Sequence, residues 1–135
     1  MEIGIKHLHH FLPFILYIVL IVAIIKAFLG KITNPRKDGL LTTTLVLAHI
    51  QLLAGLYLAI NFILIAGIQM GNTANRFVTV EHPLMMIIGV VLITIGKVKV
   101  KKIEDVAKAN KTIFYYFFVA LVLTAIRTPW DKLFL

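Results

Sequence analysis

The sequence predicts an all-α integral membrane protein, a four-helix up-and-down bundle with both termini on the outer, periplasmic side. Three observations predict it: the mean hydropathy is +0.95, four long apolar stretches follow one another, and most basic residues collect in two of the connections. Of the 135 residues, 60% are hydrophobic and 15% are charged, against about half and about a quarter in soluble domains. A soluble chain this small has too much surface to bury so many apolar side chains.

We expect residues 1–135 to form a single transmembrane domain. A bilayer core about 30 Å thick needs roughly 20 helical residues, and each apolar stretch can supply them. Short connections join consecutive spans, which favours antiparallel neighbours in a bundle. The predicted spans are residues 9–29, 40–66, 78–98 and 111–128.

The first two spans are long enough without help from their flanks. The first has Pro13 in its first turn, where a missing N–H donor is tolerated, and ends at Gly30. It runs far past the length of a signal-peptide core, so we expect it to remain as an anchor. The second carries His49, Gln51 and Asn61, and its small residues suggest close helix packing.

The third span is the ambiguous one, because its clear apolar run, 83–96, has 14 residues and covers only about 21 Å. It must extend backward towards Phe77 or forward through Lys97. The residue before a proline disfavours helix, which favours a helix that begins at Pro83 and leaves His82 at the interface. The fourth span is rich in Phe and Tyr and ends near Arg127.

The charge distribution predicts the orientation. The side formed by the first and third connections holds ten basic and three acidic residues, whereas the side of both termini and the second connection holds four basic and three acidic residues. The positive-inside rule places the more basic side in the cytoplasm. We therefore expect a multi-pass protein of a bacterial inner membrane, with anionic lipids rather than nucleic acid as partners of its basic side.

Polar residues inside a span are functional candidates, and here the histidines matter most. His9 or His10 at the outer end of the first span matches His82 at the outer end of the third in depth. Two histidines on facing helices predict axial ligation of a haem iron by His9 and His82, with His10 as the substitute if the register is wrong by one. Arg127 would pair with the haem propionates, and Trp130 would cover the macrocycle edge or sit in the aromatic belt. The competing interpretation makes these ordinary interface residues.

His49 is predicted to lie in the inner half of the second span, at a different depth in the membrane from His9 and His82. Together with Gln51 it could form a second ligand site, a quinone or proton-handling site, or a helix–helix hydrogen bond. The absence of cysteine from the sequence excludes thiolate and iron–sulfur ligation. Neither a Ser-His-Asp set nor a phosphate-binding glycine loop is present in the sequence, so we assign no catalytic residue.

Four segments carry a family resemblance: "KHLHH" opening the first span, "AHIQLLAGL" in the second, "VEHPLMM" opening the third, and the Arg127–Trp130 end of the fourth. With these the chain resembles a small bacterial four-helix membrane family labelled cytochrome b, and it is similar in size and helix number to the cytochrome b561 group. The resemblance implies His9, His49 and His82 as characteristic histidines. The b561 group binds one haem in each half of the membrane, whereas this chain has a single inner-half histidine, so we expect one haem b.

Three functional hypotheses follow. The first is a b-type cytochrome that passes electrons between membrane quinol and an outer-side acceptor, as a haem-dependent quinol oxidoreductase or an electron-transfer subunit. It would bind haem b and a quinone, and would work in a redox complex or a homo-oligomer. The alternative is a haem-free accessory or assembly subunit of a larger membrane complex. A transporter or channel ranks last, because four helices leave little room for a pore.

Overall fold

The computed structural model describes residues 2–130 and is all-helical over its regular elements. Its elements in chain order are α1 (Glu2–Phe28), α2 (Gly39–Ala66), the short α3 (Thr73–Arg76), a π-helical turn (Phe77–Glu81), α4 (His82–Val100) and α5 (Val106–Ile126). α3, the π-helical turn and α4 run on as one span, Thr73–Val100. The structure therefore has four helices long and apolar enough to cross a bilayer, as the sequence predicts, and the chain is a multi-pass membrane protein.

The helix ends follow from local chemistry. The Asp38 carboxylate accepts a hydrogen bond from the Leu41 N–H at 3.1 Å and caps α2, and Asp105 caps α5 in the same way through Ala107. Gly30 and Gly67 follow the ends of α1 and α2 with φ values of 68° and 70°. Only glycine adopts this backbone region at little cost, so both helices stop there.

The four long helices form a closed ring in the order α1, α2, α4, α5. Each packs on its two neighbours in that order, so α1 lies diagonally across from α4, and α2 across from α5. The connections 29–38 and 101–105 lie at one end of the bundle, here the basic end. The start of α1, the end of α5 and the connection 67–72 lie at the opposite end, here the terminal end.

The packed core fills the half of the bundle near the basic end. Its largest fully buried side chains include Ile32, Leu41, Ile113 and Phe117. Asn110 ties the first connection to α5: its amide accepts from the Ile32 N–H at 3.1 Å and donates to the Ile32 carbonyl at 2.9 Å. Lys97, which is 5% exposed as a residue, donates from its ammonium to the Arg36 carbonyl at 3.1 Å. Packed side chains thus fill the interior near the basic end, and the cavity between the four long helices lies towards the terminal end.

The start of the third span corrects the sequence-based preference for a helix that begins at Pro83. Helix continues back to Thr73, and His82 lies inside it. The His82 N–H donates to the carbonyl of Phe77, five residues earlier. A π-helical turn of this kind adds a residue to the turn. It gives the proline ring room that a regular α-helix would deny, because the ring clashes with the carbonyl four residues before it.

Candidate functional site

A cavity of about 440 Å³ lies between the four long helices in the half of the bundle near the terminal end. We call it the histidine cavity. Most of its walls are apolar, and its volume lies within the usual range of about 300–1,000 Å³ for small-molecule sites. It reaches the surface beside the exposed side chains of Lys6 and His10. Its polar lining includes His9, His10, Gln51, His82 and Thr128.

His9 and His82 face each other across the cavity from the diagonal helices α1 and α4. Their ring centroids are 6.2 Å apart and their planes are 78° apart. A direct hydrogen bond between two imidazoles places the centroids about 5 Å apart. A metal ion with the two rings on opposite sides places them about 6 Å apart, since a metal–imidazole bond is about 2 Å long. The observed spacing leaves room for a metal between the rings in that arrangement, and it also fits an edge-to-face contact of the two rings.

The His82 ring is held by two neighbours. Its Nδ1 lies 2.6 Å from the carbonyl oxygen of Arg127, and a carbonyl can only accept, so Nδ1 carries the proton of the neutral ring. The phenyl ring of Phe77 stacks on the imidazole with centroids 5.6 Å apart. The lone pair of Nε2 is therefore free for a ligand, which is the arrangement that a carbonyl partner gives to metal-binding histidines.

The His9 ring is held in the opposite way. The amide nitrogen of Gln51 donates to the His9 Nδ1 at 2.9 Å and to the His9 backbone carbonyl at 2.9 Å. Nδ1 is thus an acceptor, and the proton of the neutral ring sits on Nε2. The amide oxygen of Gln51 is buried and has no hydrogen-bond partner among the described residues.

α2 makes space for the His9 ring with small residues. A Cβ on Gly55 would lie 2.8 Å from the His9 Cε1, closer than two carbons can approach, so the ring packs directly on the helix backbone. Ala48, Gly55 and Ala59 share the side of α2 that lines the cavity, which agrees with the close packing that the sequence suggests.

The other residues predicted for the terminal end have different places. His10 is exposed and lines the cavity, with its ring centroid 6.2 Å from that of His9. Arg127 contributes its carbonyl to His82, while its guanidinium lies 4.0 Å from the Glu81 carboxylate. Trp130 does not line the cavity; its indole donates to the Ala125 carbonyl at 2.9 Å and packs on Tyr17.

His49 and Gln51 do not share a site, and Gln51 makes a helix–helix hydrogen bond to His9, one of the three roles left open for this pair. His49 is exposed on the outside of the bundle, and its Nδ1 lies 2.8 Å from the Leu45 carbonyl of its own helix. Two residues along a helix turn about 200°, so Gln51 points inward where His49 points outward. Gln51 instead contacts His9, although the depths assigned from the sequence place these two residues at different levels in the membrane.

Two further side chains at the site went unassigned in the sequence. Phe77 stacks on His82, and Arg76 donates from Nε to the Glu81 carboxylate at 2.7 Å. Neither contact follows from α-helical spacing, because residues five apart meet only through the π-helical turn. Within residues 2–130, no group of three or more His, Asp or Glu side chains is placed to hold a metal. A metal ion held by His9 and His82 would therefore need further ligands besides these two imidazoles.

A comparison of the chain with protein-family models, characterised proteins and solved structures finds no match.

Proposed function

We propose that the chain is a membrane b-type cytochrome that binds one haem b between His9 and His82. The observation that carries the proposal is the meeting of two imidazoles from diagonal helices, with centroids 6.2 Å apart, in a cavity of about 440 Å³. A haem iron takes two axial imidazoles and four nitrogens of its macrocycle, so two protein ligands are enough. When bound, the haem would supply one-electron chemistry inside the membrane.

His82 fits the role of an axial ligand best. Its Nδ1–H is fixed by the Arg127 carbonyl and its Nε2 carries the free lone pair. His9 fits by position, but ligation through Nε2 requires that its proton move to Nδ1. The side chains of Lys6 and His10, which line the cavity at its surface, would bind the propionates. We assign Arg127 to the same role, in competition with its contact to Glu81.

We further propose that electrons pass between membrane quinol and an acceptor at the terminal end of the bundle. The excess of basic residues at the basic end supports a bacterial inner-membrane location with the terminal end outward. The histidine cavity would then lie in the outer half of the bilayer. A haem at that depth would be within reach of a partner protein in the periplasm, and a quinol would approach it from the membrane.

The proposal is tested by the reduced-minus-oxidised absorption spectrum of the protein purified after expression with ample haem. A low-spin b-type spectrum is expected for the wild type. H82A and H9A should each lose low-spin haem, because each removes one axial ligand. H7A is the matched control, since His7 is an exposed histidine of the same helix outside the cavity. A wild type without haem, or full low-spin haem in both H9A and H82A, would sink the proposal.

One observation favours the haem-free accessory subunit as a second candidate. The imidazole of His49 is exposed on the outer surface of α2, in a stretch of helix that would face lipid. Its Nε2 would lack a hydrogen-bonding partner in hydrocarbon, which a neighbouring subunit could supply. A colourless protein that co-purifies with a stoichiometric membrane partner, and loses that partner in H49A, would establish this role instead.

A further inference from the structure

Gln51 is fixed beside His9 by two hydrogen bonds to the same residue. Its amide nitrogen donates to Nδ1 and to the backbone carbonyl, both at 2.9 Å. Exchange of the amide nitrogen and oxygen would place Oε1 against that carbonyl, where two acceptors repel. The amide is therefore locked with its nitrogen towards His9, and it keeps the proton of the ring on Nε2.

This proton position opposes ligation by His9. A metal binds imidazole through an unprotonated nitrogen, and Nε2 of His9 is the protonated one. Ligation requires the neutral ring to give up the Nε2 proton and take one at Nδ1, with no net change in charge. Gln51 must then withdraw its N–H from Nδ1. His82 has no such requirement, because the Arg127 carbonyl already places its proton on Nδ1.

We propose that Gln51 is a positioning residue that holds His9 out of ligation until His82 has bound the metal. The inference rests on the proposed function and assigns an order to the two ligands. The buried amide oxygen of Gln51 supports it, since this acceptor has no partner among the described residues. Once the side chain has moved away from the His9 carbonyl, which would repel Oε1, the amide oxygen could accept a hydrogen bond from the new Nδ1–H.

The first test measures the ring tautomers of the haem-free protein by ¹⁵N NMR of its histidines. In the wild type, His9 is expected as the Nε2–H form and His82 as the Nδ1–H form. Q51E should convert His9 to the Nδ1–H form, because a carboxylate only accepts. Q51L should give a mixture of both forms. N61L, an amide-to-leucine change at another site on α2, should match the wild type. If His9 is in the Nδ1–H form in the wild type, or if its tautomer is unchanged in both Gln51 variants, Gln51 does not hold the proton on Nε2.

The second test is a titration with haem. Because Q51L removes hydrogen bonds that ligation must break, we expect it to bind haem about five- to tenfold more tightly, equivalent to one typical hydrogen bond. A loss of about 10- to 100-fold would instead identify Gln51 as an ordinary support of a ligating histidine and overturn the inference. Absence of haem from every variant would refute the proposed function, while the NMR comparison would still decide whether Gln51 locks His9.

Discussion

The Nδ1 atoms of His9 and His82 face different chemical groups, an amide N–H and a backbone carbonyl. As a result one ring presents an N–H donor and the other a lone pair towards the same cavity. Two chemically identical side chains are thereby made inequivalent. The asymmetry comes from Gln51 on α2 and from Arg127, the residue after α5, and neither is adjacent to a histidine in the sequence.

Gly55 is the residue at which a minimal change tests the packing of His9. In G55A the new methyl group would lie 2.8 Å from the His9 Cε1, so the imidazole must shift from its position opposite His82. We expect G55A to weaken haem binding about 10- to 100-fold, because a displaced ring is no longer held where it could bind the iron. A haem titration of the purified variant measures this.

The control for G55A is G4A, which also places a methyl group on a helix, at a position with no neighbouring atom within 4 Å. G4A should bind haem like the wild type, since alanine suits a helix better than glycine. Equal haem affinity in G55A and G4A would show that the ring tolerates the methyl group.

At the scale of elements, the number of helices follows from the sequence because apolar length alone decides it. The boundaries follow less well: α1 begins at Glu2 rather than residue 9, and the span of α4 begins at Thr73 rather than residue 78. The apolar stretches mark the parts that can lie in hydrocarbon, whereas the helices continue beyond them. The π-helical turn escapes prediction, because a proline alone signals a helix start as readily as a bulge.

The partner of His9 could not be predicted for a different reason. Matching residues on two helices by depth assumes a common level for their ends, and the sequence does not fix the tilt or offset of α1 against α2. An error of one turn, about 5.4 Å, changes which residue faces His9. The predicted pairing of His9 with His82 is less sensitive to this error, because both residues lie near the terminal end of the bundle.

The Asn110 side chain joins α5 to the first connection through two hydrogen bonds to Ile32, so a substitution that removes its amide should destabilise the basic end. N110L would leave both the N–H and the carbonyl of buried Ile32 without their amide partner. Each unsatisfied buried group costs about 1–3 kcal/mol, so for two groups we expect a loss of about 2–6 kcal/mol in unfolding free energy. Denaturant unfolding in detergent measures it. N34L, a matched change at an exposed amide of the same connection, should be close to neutral; equal effects would refute the assigned role.

At the scale of the whole molecule, the orientation of the bundle can be measured directly, because the native sequence has no cysteine. K37C at the basic end and G71C at the terminal end each add a thiol at an exposed position. A membrane-impermeant maleimide added to intact cells should label G71C and spare K37C until the membrane is permeabilised. The reverse pattern would contradict the positive-inside orientation and place the histidine cavity towards the cytoplasm.

The ring order α1, α2, α4, α5 has a mechanical consequence. The first two helices are one hairpin in sequence and the last two another, and His9 belongs to the first while His82 and Arg127 belong to the second. A ligand bound by both imidazoles therefore links the two helical hairpins, and this link is lost when the ligand dissociates. By mass action, the ligand stabilises the state in which the two hairpins are packed together. This stabilisation is about 2.7 kcal/mol when the free ligand concentration is a hundred times its Kd. A cell short of the ligand would hold the same chain in a looser assembly.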